Sequence, residues 1–361
     1  MSLDLDRDVL LFFEDRDRDV FLPGDRRLRR LLRKTVAPLR PSKQSITGFE
    51  MSFILLCKAL RLAGRKLHIN DYALARRNPE FPVAICGFPH ILDNWRLPNP
   101  AVLGPGLLDH PKLRPTLMEN PQFKSYIVLC DWNREVFATI YNRDVLDLWF
   151  GAIDLSEWTC ADPSAKIVDV LVYDKIRWNR DTLVPDFRDP VLEELTRRNL
   201  TYKVLRYTKY TLREYKKLLS ESRSMVFLCE HETQGMAYQE ALACNVPVLA
   251  WDPGTWLDPN SKKWEDHPVP ATTVPYFSDE CGDRFSGLSD FGVALDRFLT
   301  NLNRYEPRRW VAENLSMQRS ADLYLHAYRK AAGTSGVHAY ALPLRELAAQ
   351  NRTESGARIS R

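Results

Sequence analysis

The chain alternates short apolar runs with helical segments over most of its length. Each run has the length of a buried strand and ends in glycine, proline or a polar residue. The clearest runs are PVAICGF, PAVLGPG, SYIVLCD, IVDVLVYDK, YKVLRY, SMVFLCE and VPVLAWD. Apolar strands separated by helices are typical of parallel sheets that helices cover on both faces. The sequence therefore predicts an α/β fold with two Rossmann-like, doubly wound domains.

Two domains are also expected because 361 residues exceed the usual size of one compact core. The alternation is interrupted by CADPSAK, residues 160–166, which is small and polar. We therefore expect a first domain over 1–160 and a second over 161–315. A final amphipathic helix is predicted over 316–332, and the polar tail 333–361 has the composition of a disordered segment.

Local signals place several helix ends. Apolar residues from Phe49 to Ala63 recur at steps of four and three, which predicts one helical stripe ending at Gly64. Thr211 and Glu214 have the spacing of a capping box at the start of another helix.

Composition limits the function classes. A net charge of +4 and a pI near 8.6 suit a phosphate-bearing ligand or an anionic membrane surface, whereas a nucleic-acid binder is usually more basic. The seven scattered cysteines contain no CxxC pair, which predicts free thiols in a reducing compartment. The acidic N-terminus and the lack of a long apolar run predict a cytoplasmic protein. No metal-ligand spacing, P-loop or GxSxG elbow occurs, so we expect no structural metal.

The segment 229–252, CEHETQGMAYQEALACNVPVLAWD, predicts a strand end, a loop, a helix and a second strand. Gly235 opens the helix, where free N–H groups can face a diphosphate. Glu232 and Glu240 stand on either side of it, and His231 looks exposed in the preceding loop. A carboxylate accepts two hydroxyl donors at once, as a ribose or hexose diol offers. The pattern favours a nucleotide sugar, although solvated glutamates on a helix face explain the bare spacing equally well.

The stretches ETQGMAYQE, ALACN and VPVLAWD resemble the signature of the retaining GT-B glycosyltransferases of the "glycosyl transferases group 1" family. WFGAIDLSEW is similar to the segment that closes the family's first domain, and EPRRWVAENLSMQRSADLYLHAY to its C-terminal crossover helix. The resemblance implies two domains facing a cleft, with the acceptor on the first and the donor on the second. It also implies transfer from a nucleotide sugar to a saccharide or lipid-linked acceptor, with retention and without cofactor or essential metal, in polysaccharide or glycolipid biosynthesis.

The resemblance also implies roles for individual residues. Glu240 is similar to the glutamate that holds the ribose hydroxyls, and Glu232 to the one that holds sugar hydroxyls at the catalytic centre. The four residues that follow Glu232 are then expected at the donor's phosphate or sugar; they are Thr233, Gln234, Gly235 and Met236. Gly48, in SITGFE, resembles a first-domain glycine that approaches the donor diphosphate.

The sequence departs from the family pattern at the catalytic positions. In place of the usual Gly-Arg and Lys it reads VYDKIRW, so Lys175 and Arg177 are the candidates for neutralising the leaving diphosphate. The usual first-domain histidine is absent from AVLGPG; His90, in GFPHIL, is its candidate substitute or else a structural histidine. Two alternatives stay open: a phosphorylase or nucleotide-sugar epimerase of the same fold, and a non-catalytic relative that binds nucleotide sugar or a protein partner, which these departures favour.

Two charged segments allow competing interpretations. DRRLRRLLRK, residues 25–34, is predicted either to contact an anionic membrane or to form a solvated helix face. LLFFEDRDRD, residues 10–19, contains the Asp-x-Asp pairs of a metal-dependent glycosyltransferase of another fold. Its place so near the N-terminus favours a turn rich in alternating charge.

Overall fold

The computed structural model describes residues 3–16 and 48–334 of the chain. Within these ranges the strands form two separate sheets, and every pairing between the strands of either sheet is parallel. The predicted α/β fold of two parallel-sheet, doubly wound domains is thereby confirmed.

The first sheet has six strands in the order β2-β1-β3-β4-β5-β6. They are β1 Asp8–Glu14, β2 Lys66–Ile69, β3 Val83–Gly87, β4 Ala101–Gly106, β5 Phe123–Val128 and β6 Leu146–Leu148. The second sheet has five strands in the order β11-β10-β9-β7-β8. They are β7 Val168–Lys175, β8 Tyr202–Arg206, β9 Ser222–Cys229, β10 Val248–Trp251 and β11 Gly282–Phe285.

Helices cover the faces of these sheets. Those of the first domain are α1 Gly48–Leu62, α2 Tyr72–Arg77 and α3 Asp131–Ala138. They are followed by α4 Arg180–Leu183, α5 Asp189–Arg197, α6 Leu212–Glu221, α7 Met236–Ala243, α8 Leu288–Thr300, α9 Pro307–Asn314 and α10 Met317–Ala331. The strands are consequently buried on both sides: in β1 the run from Val9 to Phe12 is fully enclosed. This two-sided burial is why the strands have continuous apolar runs instead of alternating ones.

The apolar run before the Asp-x-Asp stretch forms a strand that the sequence reasoning did not assign. VLLFF lies inside β1, between β2 and β3 in the first sheet. The run precedes the alternation of strands and helices, so that pattern did not identify it as a strand. Most of the Asp-x-Asp stretch, the basic segment 25–34 and nearly all of the tail 333–361 lie outside the described residues.

The helix ends predicted at Gly64 and Thr211 are observed, and Asn245 follows α7 with the same kind of backbone as Gly64. Gly64 has φ +75° and Asn245 has φ +56°, the left-handed backbone that stops a helix. The hydroxyl of Thr211 accepts a hydrogen bond from the N–H of Glu214 (3.2 Å) and so caps α6.

The C-terminal helix α10 packs on the first sheet although it follows the second in sequence. The Tyr324 hydroxyl donates to the carbonyl of Gly104 (2.8 Å), and the Ser320 hydroxyl to that of Phe150 (2.7 Å). The predicted domain boundaries stay predictions; the chain passes from one sheet to the other between Leu148 and Val168.

The length of the helices and the state of the cysteines bear on the sequence predictions. Over 3–16 and 48–334, no helix has both the length and the apolar character needed to cross a membrane. All seven cysteines are free thiols, and of these Cys160 alone is exposed.

Candidate functional site

The strand order of the second sheet reverses between β7 and β9. From β7 the chain continues to β8 on one side, whereas β9, β10 and β11 follow on the other. In open parallel sheets, ligands bind outside the carboxyl ends of the strands at such a switch point. Lys175, the last residue of β7, pairs in register with Cys229, the last residue of β9. The loops that follow these two residues therefore form the candidate site.

An ion pair between Lys175 and Glu232 occupies this switch point. Both side chains are largely enclosed, with 13% and 12% of their surfaces exposed. Burial opposes both charges, yet the neighbouring carboxylate raises the pKa of Lys175 and the neighbouring ammonium lowers the pKa of Glu232. Both groups are thus charged at neutral pH. The ammonium also lies 4.7 Å from the centre of the Tyr207 ring, a favourable cation–π distance.

Glu240 lies on α7 and is partly buried. Within the described part of the chain, its carboxylate has neither a hydrogen bond nor an ion pair. Burial raises its pKa to about 8, and the charges of Lys216 and, after it, of Lys175 reduce that shift, so Lys175 acts on both glutamates. Three tyrosines lie close enough to Glu240 for a charge on its carboxylate to raise their pKa values: Tyr173, Tyr210 and Tyr215. We refer to Lys175, Glu232 and Glu240 as the switch-point cluster.

Gly235 sets the start of α7. Its φ of +73° is left-handed, and a Cβ there would overlap the ring of Tyr238. No other residue fits without displacing that buried ring. Met236 and Thr233 are partly buried beside it. The Gln234 amide oxygen accepts a hydrogen bond from the N–H of Gly151 in the first domain (2.8 Å), so this side chain joins the domains.

Arg177 lies beside the switch-point cluster but is engaged by the protein. Its guanidinium donates to the carbonyl of His231 (2.9 Å) and stacks 4.1 Å from the centre of the Trp178 ring. Its backbone N–H and that of Trp178 both donate to the carboxylate of Glu230, at 2.8 and 3.1 Å. Arg177 therefore stabilises the loop that precedes Glu232, whereas Lys175 is the cation in contact with Glu232.

His231 is buried, which corrects its exposed appearance in the sequence. Its Nε2 accepts a hydrogen bond from the Trp256 indole N–H (3.1 Å), and its ring stacks on Trp178. Burial, followed by the charge of Arg177, lowers its pKa to about 4. The histidine is thus neutral and holds the aromatic contacts together. The two tryptophans are distant in sequence, so no local signal reveals this packing.

His90 and Gly48 lie in the first domain. His90 is buried in the turn after β3, with its Nε2 3.1 Å from a carboxylate oxygen of Glu14. Glu14 pairs in register with Gly87 at the switch point of the first sheet, between β1 and β3. Gly48 is exposed at the start of α1, with open space where a Cβ would point. Among the described contacts, none joins either residue to the switch-point cluster.

The two domains meet around the backbone of Glu232. The Trp132 indole N–H, from α3, donates to its carbonyl (2.8 Å), and its own N–H donates to the carbonyl of Thr272 (3.0 Å). Thr272 belongs to the long segment between β10 and β11, which sequence reasoning did not single out. Its signal was its length: the connection contains one short 3₁₀ helix, Pro259–Lys263, and connections this long with so little regular structure are uncommon unless they have a function.

Comparison with known proteins gives a likeness in structure only. Neither the family models nor the curated proteins compared with this chain give a match. The lipopolysaccharide outer core galactosyltransferase WaaB is 10% identical, with 91% of this chain and 100% of WaaB covered at a TM-score of 0.47. WaaG, a glycosyltransferase of lipopolysaccharide biosynthesis, has the same identity and coverage at a TM-score of 0.43.

A third solved structure is a TarM mutant from S. aureus in complex with fondaparinux, alpha-GlcNAc-glycerol and UDP. It is 13% identical over 68% of this chain, with a TM-score of 0.45, and the chain spans about half (55%) of its length. Because the similarity is this low, no activity follows from any of the three.

Proposed function

We propose that the protein is a glycosyltransferase that moves a sugar from a nucleotide-sugar donor to a hydroxyl of a saccharide or lipid-linked acceptor. The observation that carries this proposal is the switch-point cluster. It combines a buried ammonium for a diphosphate, a carboxylate that the protein leaves without a partner, and a helix that begins beside them. Nothing else in the described fold uses the Glu240 carboxylate, although even a partly buried acid without a partner is costly to maintain.

The donor orientation follows from charge. The diphosphate is placed beside Lys175, since a cation there opposes the charge that develops on the leaving group. The Glu240 carboxylate accepts hydroxyl groups of the ribose, and a pKa near 8 lets it ionise as those donors arrive. Glu232 keeps Lys175 charged, and it accepts hydroxyl groups of the donor's sugar on the side of the site where Lys175 lies. His90 and Arg177 are proposed to act indirectly, through Glu14 and through the loop before Glu232.

The proposed reaction proceeds with retention. The bond between the anomeric carbon and the phosphate oxygen breaks, and the acceptor oxygen bonds to that carbon on the same face. The acceptor's proton passes to the departing phosphate oxygen, so no side-chain nucleophile is required. The proposal includes independence of metal ions, a role in polysaccharide or glycolipid biosynthesis, and the cytoplasmic location predicted from the sequence.

Turnover tests the proposal. Purified protein is incubated with UDP-, GDP- and ADP-sugars and a mixture of acceptor glycans, with EDTA present, and free nucleotide and new glycosides are quantified. We expect product from one donor, and a fall of about 100-fold in kcat/KM in Lys175→Met, the size of effect seen when one electrostatic contact to a transition state is removed. The exposed Lys124→Met is the matched control.

One observation favours the non-catalytic alternative. The Arg177 guanidinium donates to the carbonyl of His231, so of the two predicted cations Lys175 is the one that forms an ion pair with Glu232. A binder needs no second cation to neutralise a leaving group. Nucleotide-sugar binding without any glycoside product, from a folded protein, would establish this alternative and reject the enzyme.

A further inference from the structure

The segment between β10 and β11 crosses to the first domain, although both strands belong to the second sheet. Its Glu265 carboxylate lies 2.9 Å from Nε2 of His110 and 3.2 Å from the ammonium of Lys112. That ammonium also donates to the carbonyl of Trp264. His110 and Lys112 lie between β4 and β5 of the first sheet. We refer to residues 252–281 as the strap and to these four residues as its clasp.

The clasp excludes water from His110. The side chain of His110 has no exposed surface (0%), and that of Glu265 is 9% exposed. The imidazole ring stacks on Trp264, with the ring centres 5.2 Å apart and the planes within 8° of parallel. The ring of Trp256, also from the strap, lies nearly parallel to it at 6.3 Å. A charge on this imidazole would be removed from water, which disfavours the protonated form.

The hydrogen bonds of the clasp fix His110 as the neutral ring. Its Nδ1 accepts a hydrogen bond from the backbone N–H of Lys112 (3.1 Å), and a ring nitrogen that accepts carries no proton. The single proton is therefore on Nε2, which donates it to Glu265. A second proton, on Nδ1, would face the Lys112 N–H and break that bond.

Charge in the clasp also opposes protonation. The Glu265 carboxylate favours an imidazolium, but it already forms an ion pair with Lys112 at 3.2 Å. Burial lowers the pKa of His110, the carboxylate of Glu265 opposes that shift, and the ammonium of Lys112 adds to it. The closed clasp therefore binds a proton less readily than an exposed histidine does.

A second neutral histidine holds the strap from the other domain. The indole N–H of Trp256 donates to Nε2 of His231 (3.1 Å), which must be unprotonated to accept it. The charged groups that act on His231 are Arg177, Glu232, Asp258 and Lys175. Each of two strap tryptophans is thus in contact with a buried histidine that has to stay neutral.

We propose that the strap is a pH-sensitive fastening between the domains, which protonation of His110 releases while both sheets stay folded. In water the imidazole titrates near 6.5, and in the closed clasp it titrates lower. The released strap therefore binds the proton first as the pH falls, so acid favours release. This inference does not depend on the proposed function.

Release would open a cavity of about 620 Å³ between the domains. The strap and α3 enclose this cavity, and Glu265 of the clasp is one of its lining residues. Loss of the clasp removes one wall of the cavity from the first domain. The strap thus controls access to the space between the domains.

Hydrogen exchange measured by mass spectrometry tests the proposal. Exchange is followed at about pH 7.5 and about pH 5.5, the range over which an exposed histidine gains its proton, and each rate is corrected for the intrinsic effect of pH. The strap amides of Trp256, Trp264 and Glu265 are hydrogen-bonded within the strap and report its local opening. The strands β3 and β9 report global unfolding.

His110→Gln is the decisive variant, because its amide can donate to Glu265 but does not titrate. His326→Gln, at an exposed position of α10, is the matched control. We expect the strap of wild type and of this control to exchange faster at the lower pH by at least about threefold, with β3 and β9 unchanged. His110→Gln should show no such rise.

A second variant keeps the test decisive if His110→Gln fails to close the clasp. Lys112→Met frees Glu265 to pair with the imidazolium, so its rise in strap exchange should be smaller than that of wild type. Three results would overturn the proposal: no rise in wild type, an equal rise in β3 and β9, or the full wild-type rise in both His110→Gln and Lys112→Met.

Discussion

At the residue scale, the Lys175–Glu232 pair shows how burial and charge work together. Neither ion is stable alone at this depth, and each keeps the other charged. Both residues were predicted from the sequence as members of one site. Their direct contact was not predicted, because it depends on the register that brings the ends of β7 and β9 together.

Breaking this pair should destabilise the protein. Glu232→Gln leaves the Lys175 ammonium buried without a counter-ion, for which we expect a loss of about 3–5 kcal/mol. The double variant Lys175→Met with Glu232→Gln removes both charges and should be less destabilised than Glu232→Gln alone. Urea unfolding measures the loss of stability in each single variant, Glu232→Gln and Lys175→Met, and in the double variant. A double variant that loses the sum of the two single losses would contradict the pairing.

His231 should make stability depend on pH. Its pKa is about 4 in the folded protein, below the ordinary 6.5, so the unfolded chain binds a proton first as the pH falls. Stability is therefore lost between pH 6.5 and 4, by up to about 3 kcal/mol. His231→Gln keeps an acceptor for Trp256 and should flatten this slope in urea titrations. The exposed His326→Gln should retain it; equal slopes in all three proteins would refute the assignment.

At the element scale, the helices and strands with strong periodicity were predictable, and the short or isolated ones were not. β1 was missed because it precedes the alternation, β6 because it has three residues, and β11 because it is short and follows a long irregular segment. The glycine at the start of α7 was predicted to allow a close approach. The predicted approach to a diphosphate stays a prediction; a Cβ at this position would also meet the ring of Tyr238.

Gly235 offers a matched comparison with Gly254. Both have left-handed backbones, φ +73° and +75°, but a Cβ at Gly254 meets open space and one at Gly235 meets Tyr238. Gly254→Ala should cost about 1–2 kcal/mol from the backbone alone. Gly235→Ala should cost about 1–3 kcal/mol more, because the buried ring must move. Thermal unfolding measures the loss of stability in both variants, and equal losses would show that the Tyr238 contact is unimportant.

At the scale of the whole molecule, the loop after β9 is hydrogen-bonded to residues of both domains. The backbone of Glu232 is held by Trp132 from one side and by Thr272 from the other. The sequence predicted the two α/β domains, whereas its candidate site residues in the second domain stay predictions. It could not predict the cavity of about 620 Å³, since its walls come from α3 and from residues more than a hundred positions later in the chain.

The most direct test of the account is nucleotide binding that depends on Glu240. Thermal shifts are measured for wild type, Glu240→Ala and the exposed control Glu193→Ala, with UDP, GDP, ADP and their sugar conjugates. A ligand at 100 times its Kd stabilises the native state by about 2.7 kcal/mol. The account predicts that one nucleotide stabilises wild type and the control, and that Glu240→Ala binds it about 10- to 100-fold more weakly, the loss of one charged hydrogen-bond acceptor. Equal shifts in all three proteins, or none in any, would contradict the assignment of the switch-point cluster to the donor.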